Sequence, residues 1–409
     1  MDEARRTALT FRYERWRAIT SGMLETAANN FLLLIAVRWF SAGATAKALV
    51  AAGHSTGLLL SPVVVSLVAR AQWPAAKGAA RLAAVGAGAF FLMACFPVLP
   101  VFVLGSIIAM ASWSSAIPLM TQVYQDNYPE RSRGRMFSQT TMIRIATAVV
   151  FSEVAGVFLT GHLAGFSWLL AGFGLAMVAA WACFSQCPSQ RLSEAAGSHP
   201  FRSLRYAQED RVFRLTLICW MLMGFANLMM LPMRVEYLAN PRYGLTLSPA
   251  EIAFLVGVVP NTARLILSPV WGWLFDHMNF FVMRCVLNAG FAIGILSFFT
   301  SDSVTGLIAG AIIYGISNAG GDVAWSLWVT KFSPPERVAD YMSVHTFFTG
   351  VRGVLAPLVA FHVASGRSLA TLGWSTAGLI LLATLLLLPE IKAGTRTRPA
   401  SMLVDEAAE

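Results

Sequence analysis

Six charged residues stand inside stretches of this 409-residue chain that are otherwise apolar: Arg144, Arg264 and Arg352, and Glu25, Glu153 and Asp322. A guanidinium matches the planar geometry of carboxylate and phosphate, so the arginines could hold an anionic solute. A carboxyl removed from water can exchange protons near neutral pH and so couple solute movement to a proton gradient. Three acids against three bases also allow the plainer outcome, pairing between helices. Glu25 and Asp322 are the proton-coupling candidates, and Glu25 is favoured because Met223 occupies the matching position in the second half of the chain.

Helical spacing sorts the polar residues around these charges. Glu25 and Asn29 share a face at i,i+4, and Asn30 points off it. Asn318, Asp322 and Trp325 form one stripe, His345, Thr349 and Arg352 another, and Asn261, Arg264 and Ser268 fall within one broad face. Asn29 has a counterpart in Asn227, which suggests an amide shared by the scaffold or the wall of a cavity. The candidate cavity residues are Asn29, Trp113, Arg144, Asn227, Arg264, Asn318, Trp325, His345 and Arg352. His54 and His345 are secondary proton candidates, with packing as the commoner role of a membrane histidine.

The elements that carry these residues follow from composition. Hydrophobic residues make up 56% of the chain and charged residues 12%, with mean hydropathy +0.63. Runs of about 20 apolar residues, the length that crosses a bilayer as a helix, recur between short polar breaks. Twelve spans are expected, the first at 18–40. That first span is too long for a signal peptide and carries Glu25, so it is read as retained. No P-loop, metal-ligand cluster or catalytic triad is present in the sequence, and no enzyme activity, cofactor or metal is expected. The five cysteines are expected to be free thiols.

The net charge of +9 could point to nucleic acid, but its distribution does not. Assigning alternate loops to opposite sides puts 22 Lys and Arg on the side of the termini and 5 on the other, with three arginines in mid-span. This bias places both termini in the cytoplasm and removes the need for a nucleic-acid partner.

Residues 187–212 form the longest polar break, on the basic side. They separate a six-helix bundle at 1–186 from a second at 213–391, followed by a tail at 392–409. The halves repeat one another: LLLSPV (58–63) matches LILSPV (265–270), and YPERSRGRM (128–136) matches PPERVADYM (334–342). An even number of helices per repeat makes the repeats parallel.

Twelve spans in two parallel sixes, a basic central loop and the stretch SPVWGWLFDHMNFFVMR (268–284) together resemble the major facilitator superfamily. Ser268, Pro269, Gly272 and Asp276 keep the family's pattern there, while His277 and Asn279 depart from it. The resemblance implies an all-α membrane protein of two pseudo-symmetric bundles, with helices 1, 4, 7 and 10 lining a midplane cavity. It also implies a cytoplasmic gate of Asp276 with Arg131, Arg133 and Arg135, and of Glu336 with Arg337. The fourth span has no arginine and the fifth lacks the Gly/Pro-rich motif of drug/proton antiporters. The reading is a secondary active transporter, expected as a monomer in the bacterial inner membrane, moving a small organic and anionic solute with protons. Efflux of lipophilic compounds, or a non-transporting sensor or lipid-handling role, are the alternatives.

Overall fold

The computed structural model describes residues 2–192, 202–245, 247–331 and 338–394. Apart from one antiparallel bridge, every regular element among them is helical. Helix α1 runs over 3–38, as Glu3–Thr26, a π turn at Ala27–Phe31 and Leu32–Arg38. It is followed by α2 (Ala44–Arg70), α3 (Ala75–Cys95), α4 (99–127), α5 (Glu130–Gly161) and α6 (Phe166–Gln186). The second set is α7 (Arg211–Ala239), α8 (249–277), α9 (Phe280–Phe299), α10 (Val304–Leu327), α11 (Val338–Gly366) and α12 (Leu369–Gly394).

Eleven of these, among the described residues, are long and apolar enough to cross a membrane. The twelfth, α1, has the length, and its apolar stretch is diluted by Glu25, Asn29 and Asn30. Of the prolines inside the spans, Pro118 coincides with a break: α4 divides into Leu99–Ser115 and Ile117–Asn127. Pro62, Pro232, Pro269 and Pro357 lie within continuous helix, where neighbouring helices stabilise the freed backbone.

Helices α1–α6 pack on one another, as do α7–α12, and the two bundles meet chiefly where α2 lies along α11 and α5 along α8. In lipid there is no hydrophobic gain from joining helices, so close approach by small residues does this work. Gly350 lies against Leu59, Gly353 against Ser55, and Gly156 against Ala250 and Ala253. Apolar residues such as Leu104, Val150, Leu175 and Ile293 are more than half exposed, as a surface facing hydrocarbon requires.

The bundles are joined at one end. In the half away from the termini, Lys47 donates to Glu236 at 2.6 Å and Arg38 to the Leu247 carbonyl at 2.8 Å. There too, Thr45 pairs with His362 at 3.3 Å, and Thr160 Oγ1 accepts from the Ala250 amide at 2.9 Å. All four of these bonds between bundles lie in the half away from the termini, and they tie the bundles together at that face.

Three charges that loop assignment placed at the membrane surface are inside the protein. Lys47 is buried against Glu236, Arg234 is buried with its guanidinium 3.8 Å from the Tyr314 ring, and Arg284 is 1% exposed. Each lies within a turn or two of a helix end, where hydropathy cannot tell an inward-facing side chain from a solvated one.

Candidate functional site

Four charged side chains form a chain across the bundle interface at mid-depth. Glu25 of α1 is buried, and its Oε1 accepts from Arg264 Nη1 of α8 at 2.5 Å. Arg264 Nε donates to Asp322 Oδ2 of α10, also at 2.5 Å. The other oxygen of Glu25, Oε2, lies 3.1 Å from Arg144 Nη1 of α5, out of line for a hydrogen bond. Two guanidiniums and two carboxylates leave no net charge, which lowers the cost of holding four ions in a low-dielectric interior. Of the two readings open for the buried charges, pairing accounts for Glu25, Arg144, Arg264 and Asp322.

The two ends of this chain are not enclosed. The Arg144 side chain is 30% exposed and that of Asp322 40%, against 9% and 5% for Glu25 and Arg264. The two ends, a guanidinium of α5 and a carboxylate of α10, are thus the members of the chain that retain exposed surface.

The backbone is shaped to hold these groups. In α8, the π turn Phe254–Val258 precedes Arg264 by two helical turns. Asn261 Nδ2 donates to the Gly257 carbonyl at 2.9 Å, and Asn261 Oδ1 accepts from Arg264 Nη1 at 3.3 Å. The amide thus ties the irregular turn to the guanidinium. In α1, Gly22 permits contact with α5, because a Cβ there would collide with the Arg144 carbonyl. Beyond Glu25, the π turn Ala27–Phe31 adds a residue to the turn and advances the register. Asn29, on this turn, is exposed, and Asn30 is 1% exposed, near Gly257 of α8. Neither polar atom of the Asn30 side chain has a partner.

The other expected residues divide into three groups. His54 of α2 and Trp113 of α4 pack at a tilt with centroids 5.2 Å apart, and His54 is within electrostatic reach of Glu25 and Arg144. Asn227 faces a small cleft with Arg234 and Tyr314, and Asn318 is half-buried. Trp325, one turn on from Asp322, packs on His345 at 5.5 Å, inside the second bundle. Arg352 is there as well, its Nη1 donating to the Trp220 carbonyl, with Gly224 clearing the space for the guanidinium. Arg352 is therefore not part of the Arg144–Arg264 group. Glu153, a possible partner for an arginine, is exposed, and no ion pair of it is found among the described residues.

Of the expected gate, Glu336 and Arg337 lie outside the described residues, as do the side chains of Arg131 and Arg133. Asp276 and Arg135 are exposed. The residue that sequence reasoning missed is Arg284. Its signal was its place four residues after Phe280 in an otherwise apolar α9, where it had been counted with a loop.

Residues 18–357 and 237–403 match the model of the Major Facilitator Superfamily. The chain belongs to that family. Solved structures agree with this facilitator in fold over nearly their whole length. The nucleoside transporter NupG superposes with TM-score 0.71 at 12% identity, covering 97% of this chain and 100% of that one. A D-xylose-proton symporter gives 0.66 at 14%, covering 94% and 96%. A bacterial homologue of the human lysosomal transporter Spinster, in an inward-facing and unoccupied conformation, gives 0.67 at 12%, covering 97% and 98%. No curated protein matches the sequence of this facilitator. It is a multi-pass integral membrane protein with the fold of a secondary transporter.

Proposed function

We propose that this facilitator is a secondary active transporter that moves a small organic anion with protons by alternating access, and that the Arg144–Glu25–Arg264–Asp322 chain is its coupling site. The observation that carries this is the partly exposed guanidinium of Arg144 at mid-depth, next to a carboxylate that also clamps the two bundles together. Arg264 already serves Glu25, Asp322 and Asn261. Arg144 has one ion contact, so it is the arginine with donors to spare for a substrate carboxylate or phosphate.

The coupling follows from charge balance. A substrate anion that engages Arg144 competes with Glu25 for it. A proton taken up by Glu25 removes the carboxylate from Arg264 and dissolves the ion pair between bundles, leaving Arg264 with Asp322. The bundles can then rock about the midplane. Asp322, the more exposed acid, is the second proton candidate. The transporter acts as a monomer, with both termini in the cytoplasm of a bacterial cell.

The test is thermal-shift screening of the purified protein against organic acids, sugars, peptides and drugs, followed by liposome uptake with and without a pH gradient. Glu25→Gln is expected to abolish the response to the gradient, and Arg144→Gln to abolish substrate binding. Uptake by Glu25→Gln that still follows the gradient would refute coupling through Glu25. Unchanged binding by Arg144→Gln, or transport of lipophilic compounds alone, would refute the anionic substrate.

A further inference from the structure

A second group of cations lies inside the C-terminal bundle, away from the charge chain. Arg284 of α9 is 1% exposed, and its Nε, Nη1 and Nη2 have no hydrogen-bond partner. Its guanidinium lies 3.4 Å from the centroid of the Trp220 ring. Arg352 of α11 is 8% exposed, donates to the Trp220 carbonyl through Nη1, and leaves Nε without a partner. His345 of α11 is fully buried against Trp220, Trp325 and Trp328, with neither ring nitrogen bonded. Thr349 Oγ1, on the same face of α11, is buried and unpartnered, as is Trp220 Nε1.

An arginine does not lose its proton in a protein, so the two guanidiniums cannot become neutral. Two charges this deeply buried with no opposite charge beside them carry a large desolvation cost. No described acid pairs with either. Asp322 is held by Arg264, Asp210 caps α7 and accepts from Tyr341, and Glu236 is held by Lys47. Glu390 of α12, which lies towards Cys219, forms no ion pair among the described residues.

We propose that this part of the C-terminal bundle holds a small inorganic anion of halide size between Arg284 and Arg352, with Thr349 and Trp220 as further donors. A small ion is inferred from the crowding: Trp220, Trp325 and Trp328 pack around His345 beside the arginines, and even a Cβ at Gly224 would collide with the Arg352 guanidinium. Shared between the two guanidiniums, one monovalent anion offsets one of the two positive charges. It is separate from the coupling site and does not depend on what the facilitator transports.

The test uses the full-length purified protein exchanged into gluconate, with chloride, bromide, sulfate or further gluconate added at constant ionic strength. Chloride and bromide are expected to raise the unfolding midpoint in a saturable way, with sulfate and gluconate without effect. Arg284→Gln and Arg352→Gln are each expected to abolish the halide shift. Should either variant fail to fold, crystals of the unaltered protein soaked in bromide report the site directly, by an anomalous peak between the two arginines. Absence of a halide shift in the unaltered protein overturns the proposal, as does a shift that survives both substitutions or is matched by sulfate. A halide response that appears only in Glu336→Gln would identify the chain's own carboxylate as the counter-ion, and would overturn it too.

Discussion

At the residue scale, Glu25 is the point on which the site turns. It is bonded to a guanidinium of the other bundle and lies beside one of its own. Removing one member of a buried pair leaves the other as an uncompensated charge, at a cost of about 3–5 kcal/mol. Arg264→Gln takes the cation from Asp322 and leaves Glu25 with Arg144 alone, so it should lower the unfolding midpoint more than Asp322→Asn, whose carboxylate is 40% exposed and screened by solvent. Because Glu25 and Arg264 are in contact, their losses should not add: the Glu25→Gln/Arg264→Gln double variant is expected to be more stable than the sum of single effects implies. Thermal unfolding of the four proteins in one detergent measures this. Additive losses would show that the contact contributes nothing.

At the scale of elements, the two π turns and the interface glycines decide which side chains meet. The π turn in α1 buries Asn30 and exposes Asn29, and the π turn in α8 gives Asn261 a free carbonyl to bind. Glycines set how closely the bundles approach. A leucine at Gly350 would meet the backbone of Leu59, and one at Gly156 would meet Ala253. Gly350→Leu and Gly156→Leu should therefore force the far half apart and favour the opposite conformation. Spin labels at positions 45 and 362, which are in contact here, should give a short distance in the unaltered protein and a longer one in both variants. An unchanged distance distribution would mean that the glycines do not set the closure.

At the scale of the whole molecule, closure of the far face rests on a few bonds. The strongest is Lys47–Glu236, buried at 2.6 Å and joined by Asn240, which donates to the same carboxylate oxygen at 2.8 Å. Lys47→Met leaves Glu236 buried without its cation and should weaken the closed state. The swapped pair, Lys47→Glu with Glu236→Lys, should restore it. The same spin-label distance reports both, and a swap that fails to restore closure would count against the ion pair. Orientation is a separate question: with 22 basic residues assigned to the side of the termini and 5 to the other, reporter fusions at both ends are expected to read as cytoplasmic.

How far these features were legible depends on whether they arise within a segment or between segments. By itself the sequence determined the membrane class, the twelve helices and their division into two similar halves, because span length and hydropathy are local quantities. It also singled out Glu25, Arg144, Arg264 and Asp322 as charges out of place. Only the tertiary structure decided that these four form one balanced chain, while Arg352 belongs with Arg284 inside the second bundle. Two other findings were likewise hidden: the burial of Lys47, Arg234 and Arg284, and the burial of Asn30 beside an exposed Asn29. The physical reason is the same throughout. Helical periodicity reports which residues share a face of one helix, but a charge partner, a buried helix end and the register after a π turn are set by what the neighbouring helix places opposite.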